Sequence, residues 1–375
     1  MRRPEFHFIE PSKVGVQHIT LLEGYLGAIA SNPRLREHFG LVLSASRSTL
    51  DNLPASLVSQ FRVNRIPVMD PESRRLIRKS ILELVVVLRC VIALRPGDVC
   101  FVSCLLPTSL LMLELVNRVL RRPGIHVVLH GEIEGLFDHT GSDFRRIGFW
   151  ASLWMRLRSR HSAIRLVAID DFIRDKLLRQ FPDKIAASRI SVVHFPIAAQ
   201  RKPRDPSPRK RVCFIGFRTR MKDYSSFVKL AALHPDMEFV AIGGGRIENV
   251  TTGAIASLPD KDAYLSAIAD CSIAVFLYSS SYICSLSAAL IDAAATGVPV
   301  LALDRPCFRS LAAELGSDFF SIHGSFDELS DALRGWPAPI RKGEDESYFV
   351  RLARSKFGHA AVREDFTNLA LGDAH

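Results

Sequence analysis

Short runs rich in β-branched and aromatic residues alternate with longer segments of helical period along most of the chain. That rhythm restricts the fold to βαβ units carrying parallel sheets, an α/β class. Strands are expected at Phe6 to Glu10, Leu41 to Ser44, Asp98 to Ser103, His126 to His130, Arg165 to Ile169 and Ile190 to His194. A second series follows at Arg211 to Ile215, Glu238 to Ile242, Ser272 to Leu277, Val298 to Leu303 and Phe319 to Ile322. Between the two lies Ala198-Ala-Gln-Arg-Lys-Pro-Arg-Asp-Pro-Ser-Pro-Arg-Lys, with three prolines, five basic residues and no apolar period, which reads as a linker. The 375 residues therefore divide into a first Rossmann-like domain over 1–197, a linker over 198–210, a second such domain over 211–347 and closing helices over 348–375.

Charge is distributed unevenly between these parts. The net charge is +10, and residues 1–200 hold 28 Lys and Arg against 18 Asp and Glu, whereas residues 201–375 hold 21 of each. The whole excess sits in the first half, pointing to an anionic partner for it: a membrane surface, a nucleic acid or a phosphorylated substrate. The most apolar region, Ile81 to Val116, is broken by Arg89, Arg95, Pro96, Asp98 and Pro107, so no run has the length of a spanning helix. Seven cysteines, at 90, 100, 104, 213, 271, 284 and 307, form no zinc spacing and fall mostly in apolar runs, as buried thiols of a reducing compartment do. Two arginines near the N-terminus precede no signal-like apolar stretch, and the expected location is cytoplasmic.

Three blocks of the second half carry chemistry. In Val212-Cys-Phe-Ile-Gly216-Phe-Arg218-Thr-Arg220-Met-Lys222-Asp223 a strand ends in glycine and three cations follow, a composition suited to a diphosphate at the sheet's carboxyl edge. A solvated basic loop is the plainer reading. Phe239-Val-Ala-Ile-Gly243-Gly244-Gly245 runs a strand into three glycines, which a tight turn alone would also explain. In the third block Ser285 or Ser287 can cap a helix that Gly297 and Pro299 end, and its free N–H groups form an anion site. Asp292, seven residues after Ser285, shares its helical face and could reach a ribose or sugar hydroxyl, unless it merely faces solvent.

The order of these blocks, with Leu258-Pro-Asp260, Tyr264 and Ala269-Asp270 between them, resembles the donor domain of GT-B glycosyltransferases, especially family four, over about residues 210–305. His194-Phe-Pro196-Ile197 extends the likeness weakly, and the segment from Phe357 to Phe366 resembles that family's last helix, which crosses back to the first domain. The resemblance implies two Rossmann-like domains facing a cleft. It also implies a nucleotide-diphosphate sugar bound by Gly216, Arg218, Arg220, Lys222, Gly244, Ser285, Ser287 and Asp292, with either arginine matching the family's. Asp292 stands where the family has the Glu that holds the ribose. Cys284 stands at the family's other Glu and Asp223 at a usual glycine, so retention or inversion stays open.

Candidate catalytic groups lie in the first half. His130 ends a strand and is followed by Gly131-Glu132-Ile-Glu134, where the resembled family often has a His near the transferred sugar. His18 is the alternative base, and Glu132, Glu134 and Asp138 are candidate bases for inversion. Each could instead be a cap or loop residue. Phe149, Trp150, Leu153, Trp154 and Leu157 form an apolar stripe flanked by Arg145, Arg146, Arg156, Arg158 and Arg160, which suits an interfacial helix as well as a core-packed one.

The resulting expectation is a glycosyltransferase, peripheral on the inner face of the cell membrane. It would transfer from a nucleotide-sugar donor to a glycan or lipid-diphosphate-linked glycan acceptor in bacterial exopolysaccharide synthesis, beside an anionic membrane. No cofactor and no metal are expected, since no Asp-x-Asp motif is present and fixed cations with a helix dipole can stabilise the leaving diphosphate. A sugar-nucleotide epimerase of the same fold is one rival. A basic nucleic-acid-binding protein is another, although no nucleic-acid motif is present and no nucleic-acid partner is expected.

Overall fold

The structure, a computed structural model, describes residues 2–13, 19–69, 76–122, 124–137, 145–197, 210–258, 260–316, 319–336, 353 and 355–372. His18, Asp138 and most of the linker lie outside these, as do the side chains of Glu132, Arg145, Arg146 and Arg220. Two compact units emerge. The first gathers Met1–Pro196, Cys284–Leu286 and His359–His375, and the second Ile197–Ile283 with Ser287–Gly358.

In the first unit seven strands, β1 (Glu5–Ile9), β2 (Gly40–Ala45), β3 (Arg62–Arg65), β4 (Val99–Val102), β5 (Ile125–Leu129), β6 (Ile164–Ala168) and β7 (Ile190–Val192), form one sheet in the order β3-β2-β1-β4-β5-β6-β7. Every neighbouring pair is parallel. β3 is absent from the sequence expectation because Arg-Val-Asn-Arg shows neither apolar run nor alternation, its burial being that of a sheet edge. The closing helix His359–Leu371 belongs to this unit. Phe366, fully buried, sets its ring 5.4 Å from Tyr25 and 5.1 Å from Phe101, while Asn32 Nδ2 donates 2.9 Å bonds to Arg363 O and Thr367 Oγ1. His194 fixes the same helix: its Nδ1 lies 2.9 Å from Asp365 Oδ2 and its Nε2 3.2 Å from Asp171 Oδ2.

The helix Arg145–Leu157 is split between core and surface. Trp154 is buried, and Arg158, just past the helix, turns inward to pair with Glu114 at 2.5 Å with both side chains shut from solvent. Arg158 is therefore a core cation rather than one of a surface row. Phe149 and Leu157 remain exposed. Lys79 is likewise buried, beside Glu83 one turn on, in the helix Leu76–Ala93.

The second unit holds β8 (Arg211–Ile215), β9 (Glu238–Gly243), β10 (Arg246–Asn249), β11 (Ile255–Ser257), β12 (Ile273–Phe276), β13 (Val300–Leu303) and β14 (Phe320–His323), ordered β11-β10-β9-β8-β12-β13-β14. Five strands run parallel, and β10 and β11 add an antiparallel edge. Gly243 pairs with Arg246, so Gly244 and Gly245, both at positive φ, form a two-residue hairpin turn. That turn explains two of the three glycines structurally. Phe214, Phe227, Leu230, Phe239, Val275 and Leu329 build the core beneath.

Candidate functional site

In both sheets the strand order reverses beside the first strand, between β1 and β4 and between β8 and β12. Open α/β sheets hold ligands at such points, beyond the carboxyl ends of the strands. The candidate residues of the second unit converge there. Gly216 follows β8 at φ +106°, where a side chain would be strained, and its N–H donates to Ile242 O at 2.7 Å. A Cβ on Gly243 would stand 2.4 Å from Gly216 O, so the ends of β8 and β9 touch backbone to backbone.

Lys222 curls over this glycine: a Cβ on Gly216 would lie 2.5 Å from its Nζ. The ammonium also lies 5.3 Å from the centroid of Tyr278, just past β12. The 3-10 turn Arg220–Lys222 brings it there, and Asp223 ends that turn in the left-handed region at φ 40°. A glycine would suit that backbone. Aspartate adds a cap, its carboxylate accepting from Ser226 N, Ser226 Oγ and Ser225 Oγ. Burial would raise this carboxyl, but those bonds prevail and hold it below the usual range.

The N-terminus of the helix Ala288–Thr296 completes the corner. Ser287, not Ser285, is the cap: its Oγ accepts from Leu290 N at 3.3 Å and lies 2.7 Å from Tyr278 Oη. Ala289 Cβ would be 3.8 Å from a Cβ on Gly216, which places the helix's first turn against the end of β8. Tyr278 thus touches both the ammonium and the cap. It is a candidate site residue that the sequence reading missed, and its place just past an apolar strand run is the signal that could have found it.

Asp292 sits deeper in the same helix. It is 8% exposed, and Tyr264 Oη donates to its Oδ2 at 3.0 Å. Burial pushes its pKa up to about 6, with Lys261, the Tyr264 bond and Lys222 acting the other way. It is inward-facing and poised near neutrality, not a solvent-facing aspartate. Arg218 is engaged to one side, ion-paired with Glu248 and with its guanidinium 4.1 Å from the Tyr224 ring centroid. It still lines a pocket of about 260 Å³ with Gly216, Phe217, Gly243 and Gly244. Of the three expected cations, Lys222 alone is shown facing the helix N-terminus; Arg220 contributes only backbone to the description.

At the corresponding point of the first unit a buried polar network gathers. Glu10, fully buried, accepts from Ser12 N and Lys13 N, both at 3.1 Å, and from Ser103 Oγ at 2.8 Å. Glu83 accepts from Ser12 Oγ at 2.7 Å, Ser109 Oγ at 2.9 Å and Leu106 N at 3.1 Å, and burial raises its pKa. His130 joins through Nε2, which donates to Ser103 O at 2.7 Å. Glu134 is buried and accepts from Cys284 N at 2.8 Å. Burial first, then Glu134, pushes the Cys284 thiol up, so it stays neutral. Ser285 is buried and its Oγ has no partner among the described residues. Among those residues no three His, Cys, Asp or Glu side chains gather as metal ligands would.

No family model and no curated protein sequence matches this chain. Solved structures do. WaaG, a glycosyltransferase involved in lipopolysaccharide biosynthesis, superposes with a TM-score of 0.62 at 12% identity, covering 98% of this chain and 100% of its own. Anabaena HepE in complex with UDP-glucose gives 0.60 at 11%, covering 98% and 99%. Sucrose-phosphate synthase from Thermosynechococcus elongatus gives 0.61 at 14%, covering 100% and 98%. The two seven-stranded α/β units, with the last helix returning to the first, have the fold of these GT-B glycosyltransferase structures.

Proposed function

We propose that this chain is a glycosyltransferase whose second unit binds a nucleotide-diphosphate sugar and whose first unit binds the acceptor. The observation that carries the reading is the convergence of Gly216, Lys222 and the Ser287-capped helix N-terminus at the strand-order reversal of the second sheet. A fixed ammonium and aligned N–H groups stabilise the charge of a diphosphate leaving group, with no reorganisation at the moment of bond breaking. Asp292 lies one and a half turns beyond the cap, where its carboxylate, ionised above about pH 6, can accept a nucleoside hydroxyl bond in exchange for that of Tyr264. In the first unit His130, held through Nε2 at the carboxyl edge of its sheet, is the candidate group for an acceptor or sugar hydroxyl.

The acceptor reading is a lipid-diphosphate-linked glycan of bacterial polysaccharide synthesis, taken up at an anionic membrane. It is supported by an exposed apolar face on the first unit that spans more than the one helix expected. Ile77, Ile81 and Ile92 stand out on the helix Leu76–Ala93, Met112 and Val119 on its neighbour Pro107–Leu120, and Phe149 and Leu157 on the next, Arg145–Leu157. Exposed Arg78, Arg156 and Arg160 flank them, the composition of an interfacial surface. Among the described residues no helix is long and apolar enough to cross a membrane.

Incubation with labelled sugar nucleotides, with and without a lipid extract, tests the reaction. A transferase moves label into the lipid fraction only when extract is present. Conversion of the sugar nucleotide without extract would establish the epimerase instead.

A further inference from the structure

A second basic cavity lies within the first unit at the amino ends of β1 and β3, the opposite edge of the sheet from Glu10 and His130. It has a volume of about 590 Å³, within the range of small-ligand sites. β1 has five residues at roughly 3.3 Å each, so some 16 Å of strand separates the two edges, and a ligand here touches none of the groups discussed for transfer.

Arg2, Arg3, Arg62, Arg89 and Arg95 line it against two carboxylates, Glu5 and Asp98, leaving three positive charges in excess. Both carboxylates are already committed. Glu5 pairs with Arg2 and, at 2.7 Å, with Arg62; Asp98 accepts from Glu5 N at 2.7 Å and Arg95 N at 2.8 Å. The exposed guanidinium groups of Arg3, Arg89 and Arg95 have no partner among the described residues. Like charges converging on one cavity repel unless a counter-anion joins them.

His7, 7% exposed, forms part of the wall, its Nε2 3.4 Å from Glu5 Oε2. Guanidinium forks match paired anionic oxygens, which a halide lacks, and three positive charges in excess are better complemented by a dianionic phosphate than by a single carboxylate.

We infer that this pocket binds a phosphate-bearing ligand, gripped by Arg3, Arg89 and Arg95 with His7 at its inner wall. The site is separate from the donor corner and does not depend on the transferase reading. The phosphate belongs either to a soluble phosphate ester or to a lipid headgroup, and the helix Leu76–Ala93, which carries Arg89 into the pocket, also carries exposed Ile92.

The test uses the full chain with inorganic phosphate as one probe and vesicles of phosphatidylcholine, with or without phosphatidylglycerol, as the other. Thermal unfolding of wild type should rise with phosphate at constant ionic strength. In the Arg89→Ala/Arg95→Ala variant the half-saturating concentration should increase about tenfold or more, as expected when charge-assisted bonds are lost. These side chains hold no partner, so their removal leaves folding intact. Loss of phosphatidylglycerol-dependent pelleting in the same variant assigns the phosphate to lipid; retention assigns it to a soluble ester. A phosphate response equal in wild type and the double variant overturns the site, as does no response in wild type together with unchanged pelleting of the variant.

Discussion

The Lys222 ammonium occupies the space that a side chain on Gly216 would fill, its Nζ 2.5 Å from the Cβ position. Glycine and lysine are thus one device: the missing Cβ lets the cation lie against the end of β8, beside the first turn of the helix Ala288–Thr296. Lys222→Ala removes the charge and leaves the backbone. It should lower kcat with the correct sugar nucleotide by about 100-fold, the scale of losing one preorganised charge-stabilising group. Steady-state kinetics at saturating donor check this, and a wild-type rate would remove Lys222 from leaving-group stabilisation.

Gly243→Ala attacks the same corner through sterics alone, because its Cβ would lie 2.4 Å from Gly216 O. Backbone must move to admit it. Urea unfolding should show a loss of about 1–3 kcal/mol, the usual cost of overpacking. An unchanged midpoint would mean that the ends of β8 and β9 are not in contact.

Asp292 gives a pH signature. Its pKa is raised to about 6 in the folded state, so the native protein holds this proton more tightly than the unfolded chain does between about pH 4 and 6. Stability contributed by this group is therefore highest below that window and falls as pH rises through it, by about 3 kcal/mol when complete. Asn at this position still accepts from Tyr264. Asp292→Asn should flatten the fall, seen as a Tm difference between variant and wild type that grows from pH 4.5 to 7; parallel curves would contradict a buried, raised carboxyl.

The arginines around the helix Arg145–Leu157 should separate into two kinds. Arg158→Ala strands Glu114 in the core and should cost about 3–5 kcal/mol of stability. Arg156→Ala/Arg160→Ala should leave unfolding unchanged and weaken binding to phosphatidylglycerol vesicles roughly thirtyfold, at about 1 kcal/mol for each cation. Flotation and urea titration on both variants decide it. Equal vesicle binding by wild type and the surface variant would detach this face from the membrane reading.

Glu10 holds three donors in the buried edge network. Glu10→Ala leaves Ser12 N and Lys13 N without that acceptor and should destabilise by about 1–3 kcal/mol, with Glu10→Gln recovering part because it keeps one accepting oxygen. Denaturant midpoints of the two variants distinguish this from a simple packing loss, which the isosteric Gln would recover in full.

The parts legible in sequence are those with local signals. The buried parallel strands showed as apolar runs, Pro299 and Gly297 marked a helix end that the structure places at Thr296, and Gly216 with Lys222 followed a strand as a ligand loop does. The edge strand β3 and the penultimate strand β10 did not show, since Arg-Val-Asn-Arg and Arg-Ile-Glu-Asn are polar and gain their form from a neighbour. Long-range partners were equally hidden. Ser12 meets Glu83 across 71 positions, Arg158 meets Glu114 across 44, and the basic cavity draws its arginines from the N-terminus, β3 and the end of a helix. Periodicity placed Trp154 and Arg158 on a helix but could not say that both turn inward.

The most direct measurement of the central claim is donor binding. Isothermal titration of wild type and Lys222→Ala with a panel of sugar nucleotides, UDP-glucose among them, should find one that binds wild type and binds the variant at least about tenfold more weakly, since a charge-assisted contact to the diphosphate is gone. No binding by any member of the panel, or equal affinity in both proteins, would contradict a donor site built on Gly216, Lys222 and the Ser287-capped helix.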